Sequence, residues 1–297
     1  MSITENLKGN TIFGFRASNH QIDLKAKYIK LSEKHKLNEK CIPILSNELV
    51  TIFLLSCSND INHTKKTIEN YYKIKQLAPV LFNDRNTDSE EFQLTVNTSA
   101  FAPIHWIENN TVIIYCKMLD TNYRNCYMDQ QLKVGIMTID SIIAEYAPKD
   151  FIIIQDVKGI GMMHLTRVKL HLLKIFFNYI QEALPLQLKA VHYINANYAL
   201  KQFISIAKCF IKAELFNKIT FHSGFDDLHD FIPIEYIPSN FNGHLVSIEE
   251  LQRDSVRRLR DMQTFWDAEE AMRKQCITKN DNRRLNKSVE DEIQIEQ

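Results

Sequence analysis

The apolar positions of the chain change rhythm along its length. Up to about residue 95 they fall at helical spacing on polar-faced segments. Pro43 and Ser46 open a helix through Leu49, Ile52, Phe53 and Leu54, with Ser46 placed to cap its free backbone N–H groups. Asn59-Asp60 breaks it. A second helix carries Ile61, Ile68, Tyr71, Tyr72 and Ile74 and stops before Pro79. The stretch Asn83 to Ser99, rich in Asn, Asp, Thr and Ser, reads as a boundary loop.

Beyond it come four short runs of β-branched and aromatic residues: Thr111 to Cys116, Phe151 to Gln155, Ala190 to Asn195, and Ile219 to His222. Each is continuous rather than alternating, the pattern of strands covered on both faces. Helical stretches separate them, around Gln131 to Tyr146, Met163 to Leu184 and Asn197 to Phe216. In the middle one Leu165, Val168, Leu172, Ile175, Phe176, Tyr179, Ile180 and Ala183 recur at threes and fours until Pro185. Alternating strand and helix implies right-handed crossovers and mainly parallel neighbours, so the middle is an α/β sheet domain. Ser247 and Glu250 form a capping-box pattern before a helix through Leu251, Leu259, Met262 and Trp266. The charged run after it reads as a solvated, fraying end. The expected division is 1–95 helical, 96–252 sheet domain and 253–297 charged helix and tail.

Composition narrows the function. Basic and acidic residues both total 36, so charge gives no reason to expect a nucleic-acid partner. Met1 to Gly14 has no apolar stretch like a signal peptide's, and no segment reaches the roughly 18 apolar residues of a membrane span. The six cysteines are dispersed without a C-x-x-C pair, which points to reduced thiols in a cytoplasmic protein. Catalytic signatures are missing. Gly159-Ile160-Gly161 follows a strand, yet the third glycine of a dinucleotide fingerprint is replaced by His164, so the pair reads as a tight turn. There is no G-x-S-x-G, phosphate loop or H-E-x-x-H. His192 and His222 read as core or turn histidines with backbone partners. Asp226, Asp227 and Asp230 read as capping residues. The chain is read as a non-enzyme without cofactor or metal.

The order of segments resembles the CRAL-TRIO family, in its retinaldehyde-binding and tocopherol-transfer branch and most like its insect members, over roughly residues 40 to 250. The resemblance rests on Glu48-Leu49, Ile52 to Cys57, Thr64 to Glu69 and Tyr71 to Lys75 in the helical part. In the sheet domain it rests on Ile154 to Gly159, Leu184-Pro185, Val191 to Asn195, Phe210 to Ile219, and Ile237 to Gly243. It implies a mainly parallel sheet flooring an apolar pocket under a helical lid, and a protein that carries one small hydrophobic lipid, such as a retinoid, tocopherol or carotenoid. Such a carrier is expected to be a cytoplasmic monomer that touches membranes transiently.

Asn197 to Lys212 matches the lid. Lys201, Ser205, Lys208 and Lys212 form one polar stripe on it, and apolar residues fill most of the rest. Strand alternation and family-matched helix positions nominate Phe151, Ile153, Gln155, Phe176, Tyr179, Ile180, Leu184, Val191, Tyr193, Leu200, Phe203 and Ile204 as pocket residues. Gln155 is the candidate to orient a polar group of the ligand. Lys189 and Lys218 match two positions of the family's phosphoinositide patch. Gln187 and Glu214 stand at two others, and the arginines expected near Leu55 and Ser56 are absent. Asn242 replaces the first glycine of the closing pair. The rival readings are an interaction module with a filled pocket, favoured if Phe176, Tyr179 and Phe203 crowd inward, and a nucleotide-dependent enzyme.

Overall fold

The computed structural model describes residues 42–275 apart from Ile44. Helix α1 is Asn47–Ser56 and α2 is Ile61–Leu77, each starting at a polar cap. Ser46 Oγ accepts from Leu49 N at 3.2 Å, and Asp60 Oδ1 accepts from the N–H groups of Asn62 and His63 at 2.8 and 2.9 Å. After the single turn α3 (Pro79–Phe82), the expected boundary loop is helical in its second half. Helix α4 runs Glu90–Thr98 from a Ser89 cap, with Glu90 and Glu91 in its first turn, where acidic side chains favour the helix dipole. The polarity of this stretch thus marks a helix start rather than a loop.

Five strands follow: β1 (Ser99–Trp106), β2 (Thr111–Met118), β3 (Asp150–Asp156), β4 (Gln187–Ile194) and β5 (Ile219–Phe221). They lie side by side in sequence order. β2 through β5 are mutually parallel; β1, a fifth strand beyond the four that the apolar runs predict, is antiparallel to β2. Pro103 within β1 is tolerated because the strand lies at the sheet edge, where one side of its backbone is not needed by a neighbour. Gln252 covers that edge. Its Oε1 accepts from Phe101 N at 2.7 Å, and its Nε2 donates to Val96 O and Ser99 O at 3.3 and 3.2 Å.

The crossovers are helical. Helix α5 (Met128–Tyr146) joins β2 to β3. The stretch after β3 divides into α6 (Met162–Leu165) and α7 (Leu170–Glu182) rather than one helix. The stretch after β4 likewise divides into α8 (Tyr198–Ala207) and α9 (Ala213–Phe216). Helix α10 (Ile248–Asp261) begins at Ser247, whose Oγ accepts from Glu250 N at 3.3 Å.

A sheet buried on both faces needs continuous apolar strands, and β2 shows the result. Val112, Ile114 and Cys116 face the helical side with α5 and α7. Ile113 and Tyr115 face the other side, where they meet Leu228, Ile237 and Phe241. On that second face His192 Nδ1 lies 2.9 Å from His222 Nε2. The two rings are buried and are each other's partners, which corrects the expectation of backbone partners. Burial, and then the proximity of His222, lower the His192 pKa to about 4. Asp227 reaches His222 Nδ1 at 3.5 Å from the 3₁₀ turn Asp226–Asp230.

After a break at Met262 the chain is again helical over 263–275 (α11). This corrects the reading of a solvated end: Glu269 and Arg273 are buried. Glu269 pairs with Lys75 of α2 at 3.2 Å, with Arg85 of the α3–α4 connection, and through both oxygens with Arg273 Nε at 3.0 Å. Asp140 of α5 completes the cluster, 3.5 Å from Lys75 and 3.2 Å from Arg85. Arg273 also donates to Phe82 O at 2.7 Å and Asn83 Oδ1 at 3.0 Å.

Candidate functional site

Between the helical face of the sheet and the helices α5 to α9 lies a cavity of about 340 Å³. That volume is within the range of small-molecule sites, roughly 300–1,000 Å³. Strand register builds its floor in two rows. Ile114, Ile153, Val191 and Ile219 stand side by side across β2, β3, β4 and β5. Two residues further along the strands Cys116, Gln155 and Tyr193 form the second row. The walls come from Leu132, Gly135 and Ile139 of α5 and from Leu173, Phe176, Phe177 and Ile180 of α7. Leu200 and Phe203 of α8 and Leu215 of α9 close the side away from the sheet.

Of the expected pocket residues, Ile153, Gln155, Phe176, Ile180, Val191, Tyr193, Leu200 and Phe203 border the cavity. Four do not. Phe151 lies on the cavity-facing side of β3 but one row deeper, in register with Val112 and Leu188, inside the packed core. Tyr179 points off the opposite side of α7, its ring 5.9 Å from that of Tyr71 and 5.0 Å from that of Phe82, so it anchors the N-terminal helices and does not crowd the cavity. Leu184, just past α7, is in the same core. Ile204 packs with Val157 and Leu200 beyond the strand ends.

Helix α8 is held at both ends. Asn197 caps it, accepting from Leu200 N at 3.0 Å while its Nδ2 donates to Val157 O and Ile160 O at 3.3 and 2.8 Å. Past the other end, Gln181 of α7 donates to Phe210 O at 3.1 Å and accepts from Lys212 N at 2.7 Å. Between these ends Ala199, Leu200, Ile204 and Ala207 are buried, and Lys201, Ser205 and Lys208 are exposed, as the stripe requires. The outer surface also shows Tyr198 at 66% exposure, with Met162 and Met163 of α6 about half exposed.

The polar groups of the second row differ in what they offer. Gln155 Nε2 donates to Cys116 O at 3.3 Å and Asp156 O at 3.1 Å, leaving its carbonyl oxygen for a ligand. Burial raises the pKa of the Tyr193 hydroxyl and of the Cys116 thiol to about 12, so both stay neutral at physiological pH. Arg167 and Lys117, which also border the cavity, are engaged elsewhere. Arg167 donates to Cys126 O at 3.1 Å and Arg124 O at 3.3 Å, and Lys117 pairs with Glu249 at 3.0 Å.

The two lysines expected to meet phosphate also have protein neighbours. Lys218 donates to Leu188 O at 2.9 Å and lies 3.9 Å from Glu214, and the Lys189 ammonium sits 5.8 Å from the Trp106 ring.

Two turns bear on the sequence reading. Gly159 has φ +82° with Thr121 against it, a tight turn in which a side chain would be strained. Asn242 adopts the left-handed conformation, φ 58°, and a Cβ on Gly243 would collide with the Ile237 carbonyl; the closing turn therefore forms with Asn in place of glycine. Among the described residues no group of His, Cys, Asp and Glu could hold a metal, the four cysteines are unpaired, and no helix is long and apolar enough to cross a membrane.

Parts of the chain match known families and proteins. Residues 97–243 match the model of the CRAL/TRIO domain, and residues 24–92 match that of the Pinta-like UBA domain. The chain is 21% identical over 212 residues to the alpha-tocopherol transfer protein-like protein of Mus musculus and 22% identical over 211 residues to that of Homo sapiens, covering 68% of this chain in each case. The match spans 60% of the length of those relatives. Clavesin-1 of Rattus norvegicus is 25% identical over 125 residues, 41% of this chain and 35% of that protein. The crystal structure of Sfh5 superposes with a TM-score of 0.46 at 12% identity, covering 73% of this chain and 85% of that one.

Proposed function

Because this chain carries a CRAL/TRIO domain at residues 97–243 and belongs to that family, we propose that it binds one small hydrophobic lipid in the cavity beneath α8 and transfers it between membranes. The observation that carries the reading is the cavity itself: apolar floor, apolar walls, and a helix across its outer side held by a few hydrogen bonds. At roughly 25 cal/mol per Å² of apolar ligand surface removed from water, such a lining supplies affinity through shape and greasiness. No bond of the ligand is made or broken. The filled-pocket alternative is disfavoured by the side chains named for it. Tyr179 turns away, and Phe176 and Phe203 border an open volume.

Native mass spectrometry of the purified protein, followed by lipid extraction from the same sample, tests the carrier reading. One stoichiometric hydrophobic passenger is expected. A protein with no passenger and no uptake from mixed-lipid vesicles would instead be an interaction module.

Release requires a membrane contact, and the exposed Tyr198, Met162 and Met163 beside Lys201 and Lys208 form a surface suited to it. Tyr198→Glu is expected to remove about 1 kcal/mol of interfacial burial, roughly a fivefold loss of vesicle partitioning, and to leave ligand affinity in solution unchanged. Co-sedimentation with vesicles and a transfer assay measure the two separately; an equal loss of ligand affinity would place Tyr198 in the pocket instead. Repeating the transfer assay with phosphatidylinositol bisphosphate in the acceptor vesicles tests docking through Lys189 and Lys218.

A further inference from the structure

Two cations border the cavity, Lys117 and Arg167. Lys117 has a carboxylate partner, Glu249, at 3.0 Å. Arg167 has none among the described residues. It lies in the turn between α6 and α7, partly buried. The connection from β2 to α5 fixes its guanidinium. Nε donates to Cys126 O at 3.1 Å and Nη2 to Arg124 O at 3.3 Å, and the Tyr127 ring lies 5.4 Å from the guanidinium carbon. These contacts orient the group but do not neutralise it. A guanidinium carries five N–H donors, and the two carbonyls use two of them.

The unused donors are within reach of a ligand. Arg167 Nη1 makes no hydrogen bond to protein and keeps accessible surface. His164, also on the border, offers less. Its Nδ1 accepts from Gly161 N at 3.1 Å, and its Nε2, likewise unpartnered, has no accessible surface.

No nearby acid is left to meet the Arg167 charge. Glu249 is held by Lys117, and Asp129 in the first turn of α5 is held by Lys169 at 2.9 Å. Helix α7 begins three residues after Arg167, with no capping side chain and no acid in its first turn, so its positive end adds to the field at this border. A positive charge beside apolar surface is poorly solvated, and an anion arriving with the ligand relieves that cost.

The geometry also selects the anion. A planar fork of N–H donors with a single charge fits one carboxylate. A phosphate monoester needs several converging cations, and Lys117 and Lys169 are already paired.

We propose that Arg167 holds the carboxylate of a fatty acid whose hydrocarbon chain fills the apolar cavity. The proposal rests on the carrier reading of the same cavity and names its ligand class.

Palmitate and 1-hexadecanol, which share a chain length and differ in the headgroup, test it when each competes with fluorescent retinol on the full chain at neutral pH. Wild type is expected to bind palmitate roughly tenfold more tightly than the alcohol, the scale of a charge-assisted hydrogen bond. Added salt should weaken palmitate binding and leave the alcohol unchanged. Arg167→Gln keeps an amide donor for the backbone carbonyls and removes the charge. It should lose about tenfold in palmitate affinity and bind the alcohol within about twofold of wild type. Arg167→Lys keeps the charge without the fork and should lose roughly threefold. An alcohol bound as tightly as palmitate by wild type overturns the carboxylate class. A palmitate preference undiminished in R167Q, or in R167K should R167Q fail to fold, overturns the role of Arg167. If wild type binds neither probe nor retinol, the carrier reading itself falls; retinol bound with palmitate excluded overturns the carboxylate class alone.

Discussion

Glu269→Ala is expected to destabilise the protein by about 3–5 kcal/mol, the cost of leaving buried charges without their partner. In a domain of this size that lowers the thermal midpoint by on the order of 10 °C. Lys75, Arg85 and Arg273 all converge on this carboxylate, and Asp140 is the only other anion of the cluster among the described residues. Without Glu269, Lys75 and Arg85 are left with Asp140, and Arg273 loses its carboxylate. The electrostatics of the intact cluster give the same prediction a pH axis. Burial alone would raise the Glu269 pKa; the ammonium of Lys75 and the guanidiniums of Arg85 and Arg273 overcome this and hold it down to about 2. A carboxylate whose folded pKa is depressed stabilises the protein above its unfolded pKa, and that stabilisation is lost as pH falls through the folded value. The window here runs from about 4.5 down to about 2. Thermal midpoints measured from pH 7 to pH 3 should therefore fall more steeply below pH 4.5 for wild type than for Glu269→Gln. Parallel curves would mean that the carboxylate is not ion-paired in solution.

Ile153→Trp should weaken lipid binding by on the order of seventyfold without unfolding the chain. Ile153 lies within the aliphatic floor row, flanked in register by Ile114 and Val191, and its side chain borders the cavity. An indole there has about 340 Å³ of open volume to enter, so the overpacking cost of roughly 1–3 kcal/mol seen in filled cores does not apply. The ligand bears the loss instead. Displaced from roughly 100 Å² of apolar floor, it loses about 2.5 kcal/mol, on the order of seventyfold in affinity. Retinol titration and a thermal melt of the unliganded variant measure the two halves. Unchanged affinity would place the ligand elsewhere, and a collapsed melt would show that the cavity is smaller in solution.

Much of this arrangement is legible in the sequence because strands buried on two faces and amphipathic crossover helices leave strong local patterns. The four parallel strands are such a case. The lid stripe is another, Lys201, Ser205 and Lys208 facing out over a buried Ala199, Leu200 and Ile204. Where one local pattern fits two structures, the sequence is silent. Helix α7 is apolar on two sides: Leu173, Phe176, Phe177 and Ile180 border the cavity, and Leu172 and Tyr179 face the core shared with the N-terminal helices. The resemblance nominates Tyr179 on this helix and not Phe177, and periodicity cannot correct it, because spacing does not say which apolar face meets empty space. Strand β1 was missed because Pro103 argues against a strand unless its edge position is known. Glu269 and Arg273 read as solvated because the partners that bury them lie nearly 200 residues away, Lys75 being 194 positions from Glu269. His164 appears in the sequence only as the residue that spoils a glycine fingerprint; its unpartnered nitrogen becomes visible once Gly161 and the cavity are in place.

That 194-residue separation has a consequence for how the protein is made. Lys75, Arg85 and Asp140 leave the ribosome well before Glu269 does, and translation at roughly 5–20 residues per second puts on the order of 10–40 s between Lys75 and this second counter-ion. Through that interval the nascent N-terminal helices carry two cations that are buried in the finished protein, with Asp140 alone to meet them once it emerges. The helical part and the sheet can form early, but the charge cluster closes last, when α11 arrives. A chain stalled or cut before residue 269 is therefore a natural client for chaperones and proteases, and synthesis up to that point is in effect proofread by the arrival of α11.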